Sequence, residues 1–386
     1  MPKFDFNNSK YAGFWSSRDA ANALRIFVND PDIIAQKDAF WRRNFSIDPI
    51  LSSRNPDGTA LFSVVERRRT VANMADMRAP LAETSPRDFT GVEAYQGSIP
   101  DFAAKGYVET AMEREAREKM FTEYFGNDAE ILSAYADVVQ AMYDEMNQTL
   151  SNLGAQVISK GSTSYNYGTG IKGNIYKAPI PVENFVKAGA LAWTDPNAKI
   201  LDYMMAIEED YRQRSGNESG ALKWQMPIKF FRNVILKNAQ VAAYINSWRT
   251  VNEKPVVAGM AITEAMFNEA FAGADIISPI EVVYEGQKDG AIGAVSGWKE
   301  GVVVLRPVGY AGVLKRAGIL DVTMGKKYGS SVIDTVFTQL DIFTLINSTL
   351  NNGRYKEWHT DLLVAAVPVL DEFLDHVIVD TTTANV

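Results

Sequence analysis

Gly168-Thr169-Gly170-Ile171-Lys172-Gly173 has the G-x-G-x-x-G spacing with which a loop cradles a pyrophosphate, and Asp195 lies at about the right distance downstream to hold a ribose hydroxyl. That chemistry needs a helix to open at the third glycine, because the helix N-terminus holds the charge. The residues that follow, Asn174 to Ile180, are β-branched and aromatic, and Pro179 and Pro181 leave no room for a helix. The motif therefore reads as a glycine-rich hairpin tip. Ser296-Gly297-Trp298-Lys299 spells S-x-x-K, but it lies among Gly286, Gly290, Gly293 and Gly301, where no helix could place the lysine amine over the serine hydroxyl. Glu357, His359 and Asp361 share one face of a strand and imitate a metal-binding trio. The other face holds Trp358, Thr360 and Leu362, which is the pattern of a half-buried strand with a wet side. His376 has no ligand-type spacing to His359, and neither G-x-S-x-G nor G-x-x-x-x-G-K-[ST] occurs. No catalytic residue, cofactor or metal is expected.

The composition narrows the classes further. The chain has 386 residues, enough for two or three sub-domains, and its 46% hydrophobic and 22% charged residues describe a folded chain. The absence of cysteine excludes disulfides, thiolate metal sites and thiol catalysis. A net charge of −8 opposes binding to phosphate backbones, so a dedicated nucleic-acid binder is not expected. The polar start, Met1 to Lys10, does not read as a signal peptide, and the longest apolar run, Leu362 to Leu370, is far short of the ~20 residues that span a bilayer. A soluble chain without membrane contact is expected.

The elements that must position any site begin with an irregular arm over residues 1–17 and a short amphipathic helix from Arg18 to Asn29, stopped at Asp30-Pro31. From Phe45 to Lys105, turn signals at Asn55-Pro56-Asp57-Gly58, Ala79-Pro80, Ser85-Pro86 and Ile99-Pro100 separate short strand-like runs such as Ala60 to Val65 and Val92 to Gln96. The spacing predicts a long two-stranded excursion that buries too little alone and must lie on something else. Glu66, Arg67, Arg68 and Arg69 sit on its first limb, and on a lone chain they would be a solvated, charge-guarded edge. Next comes a capping box at Asn127 and Glu130, then apolar residues at steps of three and four from Ile131 through Val138, Met142, Met146 and Leu150 to Leu153. This predicts a helix over about 128–153, roughly 39 Å long, ended by Gly154 in the left-handed cap. Val138 and Met142 are expected near its buried centre.

Beyond the helix, Ala155 to Ser159 and Asn174 to Ile180 read as the limbs of a hairpin. Helices are predicted over Ala198–Arg212, Ile228–Leu236, Gln240–Trp248 and Thr263–Phe271, and strands over Ile280–Tyr284, Gly301–Val308, Tyr355–Val369 and His376–Asp380. Helices and strands in blocks make the fold class α+β.

Five segments, in this order and spacing, carry a likeness: Asn127 to Gly161, Trp193-Thr194-Asp195-Pro196-Asn197-Ala198, Met226 to Ile245, Gly301 to Gly309, and Leu362 to Val379. With them the chain resembles the major capsid proteins of tailed bacteriophages that have the HK97 fold, nearest the family that includes phage lambda's major capsid protein E. The resemblance implies an N-terminal arm over residues 1–44 and an E-loop over 45–105. It implies a peripheral domain over 106–185, built on the spine helix and completed by 365–386, and an axial domain over 186–364. It implies a structural subunit that forms hexamers and pentamers of an icosahedral shell around double-stranded DNA, located in the virion and assembled in the bacterial host cytoplasm. Contacts between subunits are then expected at Glu66, Arg67, Arg68 and Arg69 of the E-loop and at Phe14 and Trp15 of the arm. A start at Met1 implies a separate scaffolding protein or the arm itself in that role, and portal and decoration proteins are further implied partners. An encapsulin-like nanocompartment shell and, at a distance, a dinucleotide-binding enzyme remain as alternatives.

Overall fold

In a computed structural model of the chain, residues 39–56, 59–67, 92–104, 106–110, 112–113, 116, 128–167, 171–215, 220–255, 261–271, 280–283, 297–319, 332–351 and 356–382 are described. Val139, Met142, Met146, Leu150, Leu153 and Val157 recur at steps of three and four, with Tyr143 four residues after Val139, and all are buried. They lie on one stripe of a helix, α2, that runs from Asp128 to Lys160, about 50 Å at 1.5 Å per residue. The helix is longer than the spacing predicts. Gly154 does not end it: a Cβ there would lie 2.8 Å from Cε2 of Phe45, so this glycine serves close packing inside the helix. The terminator is Gly161, at φ +66°, whose N–H donates to the Val157 carbonyl at 2.8 Å. Val138 is only partly buried, and Val139 takes the fully buried place expected of it.

A seven-stranded sheet packs against this helix. Its strands are β1 (Phe45–Ser52), β4 (Asp101–Ala103), β5 (Tyr107–Thr110), β12 (Gly312–Ala317), β13 (Val332–Leu340), β14 (Phe343–Asn351) and β15 (Lys356–Leu370), in the order β1-β12-β15-β14-β13 with β4 and β5 also paired to β15. A short helix, α1 (Phe40–Asn44), enters β1 and buries Trp41, whose indole N–H donates to Oδ1 of Asn147 on α2 at 2.9 Å. The hairpin after α2 is β6 (Ser162–Tyr167) with β7 (Ile171–Lys177), an antiparallel pair. The first limb expected at Ala155 to Ser159 is instead the last turn of α2, because the helical stripe continues through Val157 and Ile158. β7 confirms that no helix opens after Gly173; the tip, 168–170, lies outside the described residues.

A five-stranded sheet, ordered β10-β9-β11-β16-β8, stands between two hydrophobic cores. Its strands are β8 (Phe185–Lys187), β9 (Leu222–Pro227), β10 (Ile280–Val283), β11 (Val302–Pro307) and β16 (Val377–Asp380). Strand alternation makes it a shared wall. Val302, Val304 and Ile378 enter the core built on α2, while Val303, Leu305, Val377 and Val379 enter a second core. That second core is closed by α3 (Ile200–Ser215), α4 (Ala239–Val251), α5 (Glu264–Phe271) and a helical turn at Ile228–Phe230 that tightens into a π turn at Phe231–Ile235. Asn238 caps α4, its Oδ1 accepting from the N–H groups of Gln240 and Val241.

Leu314, Phe343, Leu345, Leu362 and Val364 pack in the first core, so the stretch 186–364 divides between the two. Among the described residues of 45–105, β1 and β4 belong to the seven-stranded sheet, and β2 (Ala60–Arg67) and β3 (Val92–Ile99) form a separate ribbon. The α+β fold class stands.

Candidate functional site

The β2–β3 ribbon is the feature that the sequence expectation placed at the centre of function. Eight residue pairs hold it in antiparallel register, from Ala60 opposite Ile99 to Arg67 opposite Val92. Alternation divides its faces. Phe62, Val64, Tyr95 and Ile99 point inward and are buried in the first core, whereas Leu61 is 53% and Val65 61% exposed on the outer face. The excursion thus lies on its own chain with one face, which the short sequence runs did not reveal, and on the other exposes Leu61 and Val65 among the polar Ser63, Gln96 and Ser98.

Aromatic rings fasten its base. Phe62 meets Tyr95 edge-on at 6.2 Å and Tyr176 at 5.5 Å, Tyr95 stacks on Tyr176 at 5.6 Å, and Phe373 stands edge-on to Tyr95 at 5.3 Å. The Tyr95 hydroxyl donates to the Leu370 carbonyl at 2.6 Å and that of Tyr176 to the Pro368 carbonyl at 2.7 Å. Both hydroxyls are buried, and burial pushes their pKa far above the ordinary phenol range, so they keep their protons. They act as fixed donors.

Of the six expected contact residues, Glu66 is the one whose side chain is described. It follows Phe62 and Val64 on the inner face, and its Oε2 accepts the Leu374 N–H at 3.0 Å. Burial, reinforced by the charges of Asp375 and Glu372, pushes its carboxyl up to about 7 against the pull of the Leu374 and Phe373 N–H groups. Glu66 is therefore held within its own chain. Arg67 ends β2, paired through its backbone with Val92, and Arg68, Arg69, Phe14 and Trp15 lie outside the described residues.

A second polar centre escaped the sequence reading. Arg306 sits on β11 on the same side as Val302 and Val304, and it is 2% exposed. Its Nε donates to Oε1 of Gln225 at 3.2 Å, Nη2 to Oδ1 of Asn44 at 2.6 Å, and Nη1 to the carbonyls of Gly309 at 2.9 Å and Pro307 at 3.2 Å. Gln225 Nε2 donates to the same Asn44 oxygen, and the Asn44 carbonyl accepts from the Ala311 N–H at 2.7 Å. One guanidinium thus ties α1, β9 and the β11–β12 connection together. Burial lowers it to about 10, and Glu281 and Glu372 act to keep it charged. The available signal was a lone arginine in the apolar run Gly301 to Gly309.

The expected wet face of β15 takes a different form. His359 is buried at the sheet, its Nε2 lies 3.3 Å from Oε2 of Glu357, and no group of three metal-ligating side chains forms among the described residues. The backbone N–H of Lys299 donates to Ser159 Oγ, so the S-x-x-K segment is tied to the end of α2. Among the described residues, no helix is long and apolar enough to cross a membrane.

No protein-family model matches the chain, and no curated protein matches it. Solved structures similar to it include a capsid protein assigned to a prophage of E. coli CFT073, at 11% identity and a TM-score of 0.47, covering 93% of this chain and 98% of that one. The cyanophage A-1(L) capsid asymmetric unit is similar at 9% identity and a TM-score of 0.47, covering 90% and 93%. A phage-related protein from Bordetella bronchiseptica RB50 is similar at 13% identity and a TM-score of 0.44, covering 93% and 96%.

Proposed function

We propose that the chain is a structural subunit of an icosahedral phage head, not an enzyme, which joins copies of itself into hexamers and pentamers that enclose double-stranded DNA. The observation that carries this reading is the two-faced ribbon. Its inner face is built into the core, while Leu61 and Val65 on its outer face, like Ile50 and Leu51 on the neighbouring β1, are each more than half exposed. Apolar side chains left in water on these strands are removed from it when another subunit lies against them. A ribbon reaching from each subunit to the next makes a heterologous contact, and such contacts form rings where the rotation from one subunit to the next closes.

Arg67 at the end of β2, Arg68 and Arg69 that follow it in the sequence, and Phe14 and Trp15 near the N-terminus complete that contact in this reading. The body on α2 takes the peripheral place and the body with the second core the axial one. The net charge of −8 supports it, since a wall that encloses DNA should not grip it. Scaffolding, portal and decoration partners, and assembly in the host cytoplasm, belong to the same proposal. The test is electron microscopy of purified chain, wild type beside the double substitution Leu61→Ser with Val65→Ser. Closed shells for the wild type and dispersed, folded subunits for the variant are expected. A wild-type chain that stays monomeric at micromolar concentration and physiological salt overturns the reading.

A further inference from the structure

The outer end of the ribbon's inner face carries two carboxylates side by side, because the register sets Glu66 of β2 directly opposite Glu93 of β3. Beneath them runs the turn 371–376 that joins β15 to β16. Glu66 bridges the two through Oε2, which accepts the Leu374 N–H across 308 residues of sequence. The turn is itself firmly held. The Leu374 carbonyl accepts from Asn184 Nδ2 at 2.8 Å, Phe373 is wholly buried against Tyr95, and His376 donates to the Ile158 carbonyl. The turn is thus a fixed plate, and the outer end of the ribbon rests on it through Glu66.

We propose that Glu66 is a proton-operated catch: protonated, it holds the outer end of the ribbon down on the turn, and ionised, it releases it. The groups that face it make the case. From β3, Glu93 stands opposite it in the register and the Tyr95 hydroxyl lies within reach of its charge; from the turn, Glu372 and Asp375 act on it and Asp371 acts on Tyr95; Arg306 acts from β11 on Glu372. Burial, with the charges of Asp375 and Glu372 added to it, opposes the negative charge of Glu66 when the ribbon is down. The Leu374 N–H favours the charged form, and this pull is the weaker one. When the ribbon end opens into water, burial and crowding vanish together. This device lies within one chain and does not rest on the shell reading.

The sign follows from linkage. The docked carboxyl titrates at about 7 and an open one near its ordinary 4.5, so the proton favours the docked form. Below pH ~4.5 docking is at full strength; between about 4.5 and 7 it weakens by up to tenfold per pH unit; above 7 it levels off. The upper bound on the whole change is about 300-fold, reduced by the water that still reaches the group.

Hydrogen exchange on the full-length chain tests this, following the Phe373 and Leu374 amides from pH 5 to 8 with the intrinsic rates divided out. The wild type should lose protection progressively up to pH ~7 and then level, whereas Glu66→Gln, which keeps an acceptor but cannot ionise, should show a flat profile. Parallel profiles for the two proteins overturn the proposal. Should Glu66→Gln fail to fold, Asp375→Asn decides. Removing that charge should move the wild-type midpoint to lower pH, and an unmoved midpoint overturns the catch.

Discussion

Gly154 and Phe45 meet where α2 crosses the start of β1, with the ring of Phe45 filling the space a Cβ on Gly154 would need. A glycine inside a helix costs ~1 kcal/mol relative to alanine, so the helix alone would gain from Gly154→Ala. The added methyl would stand 2.8 Å from a ring that is 1% exposed and cannot swing away, and overpacking of that kind costs about 1–3 kcal/mol. The expected outcome is a lower melting temperature for Gly154→Ala, with recovery when Phe45→Leu is added. A variant more stable than the wild type would mean that the ring moves freely.

Gly154 also shows where the sequence was legible and where it was not. The α2 stripe could be read because its period is local, yet its end could not, since a cap glycine and a packing glycine look alike until the strand that touches one of them is placed. The ribbon's limbs were legible from turn signals and β-branched runs. Its inner face was not, because Phe62 and Tyr95 find their partners, Tyr176 and Phe373, more than a hundred residues away. The hairpin of β13 and β14 went unread because its two-residue turn uses Asp341 at φ +57°, with no glycine or proline to mark it. Arg306 needed Asn44 and Gln225 beside it before a lone charge in an apolar strand made sense.

Val138 and Val139 separate the stripe's edge from its centre. Val139 is fully buried in the first core and Val138 only partly. Val139→Asp would bury an unpaired charge at a cost of several kcal/mol and should yield insoluble protein, whereas Val138→Asp should remain soluble with a modest loss of thermal stability. Expression trials with soluble-fraction assays distinguish the two, and equal solubility would place the helix in the wrong rotation.

Arg306→Lys tests the joint between the two bodies. A lysine ammonium has three donors on one atom and cannot reach Gln225, Asn44 and the carbonyls of Pro307 and Gly309 together. Some of those buried acceptors would lose their donor, at about 1–3 kcal/mol each. The substitution should lower the melting temperature by several degrees although it keeps the charge; an unchanged melt would show that charge alone holds the joint.

Glu66 and His376 give the chain two opposite responses to acid. The His376 Nε2–H donates to the Ile158 carbonyl at 2.6 Å, and burial, with a further push from Arg306, lowers the ring to about 4 from 6.5. A depressed histidine holds its stability above pH ~6.5 and loses it as the pH falls toward about 4, at ~1.4 kcal/mol per unit, or roughly 3 kcal/mol in all. Glu66 runs the other way, gaining as the pH falls from about 7 to 4.5, by ~1–2 kcal/mol after allowance for its partial exposure. The two windows overlap, so the wild type should lose only a modest part of its stability between pH 7 and 5. Each variant unmasks the other group. His376→Gln, which keeps a neutral donor, should melt higher at pH 5 than at pH 7, and Glu66→Gln should fall more steeply on acidification than the wild type. Melting curves at half-unit steps of pH read both slopes. If the two variants follow the wild-type slope, neither group titrates against the fold, and the opposition between the ribbon's carboxylate and the buried imidazole has to be given up.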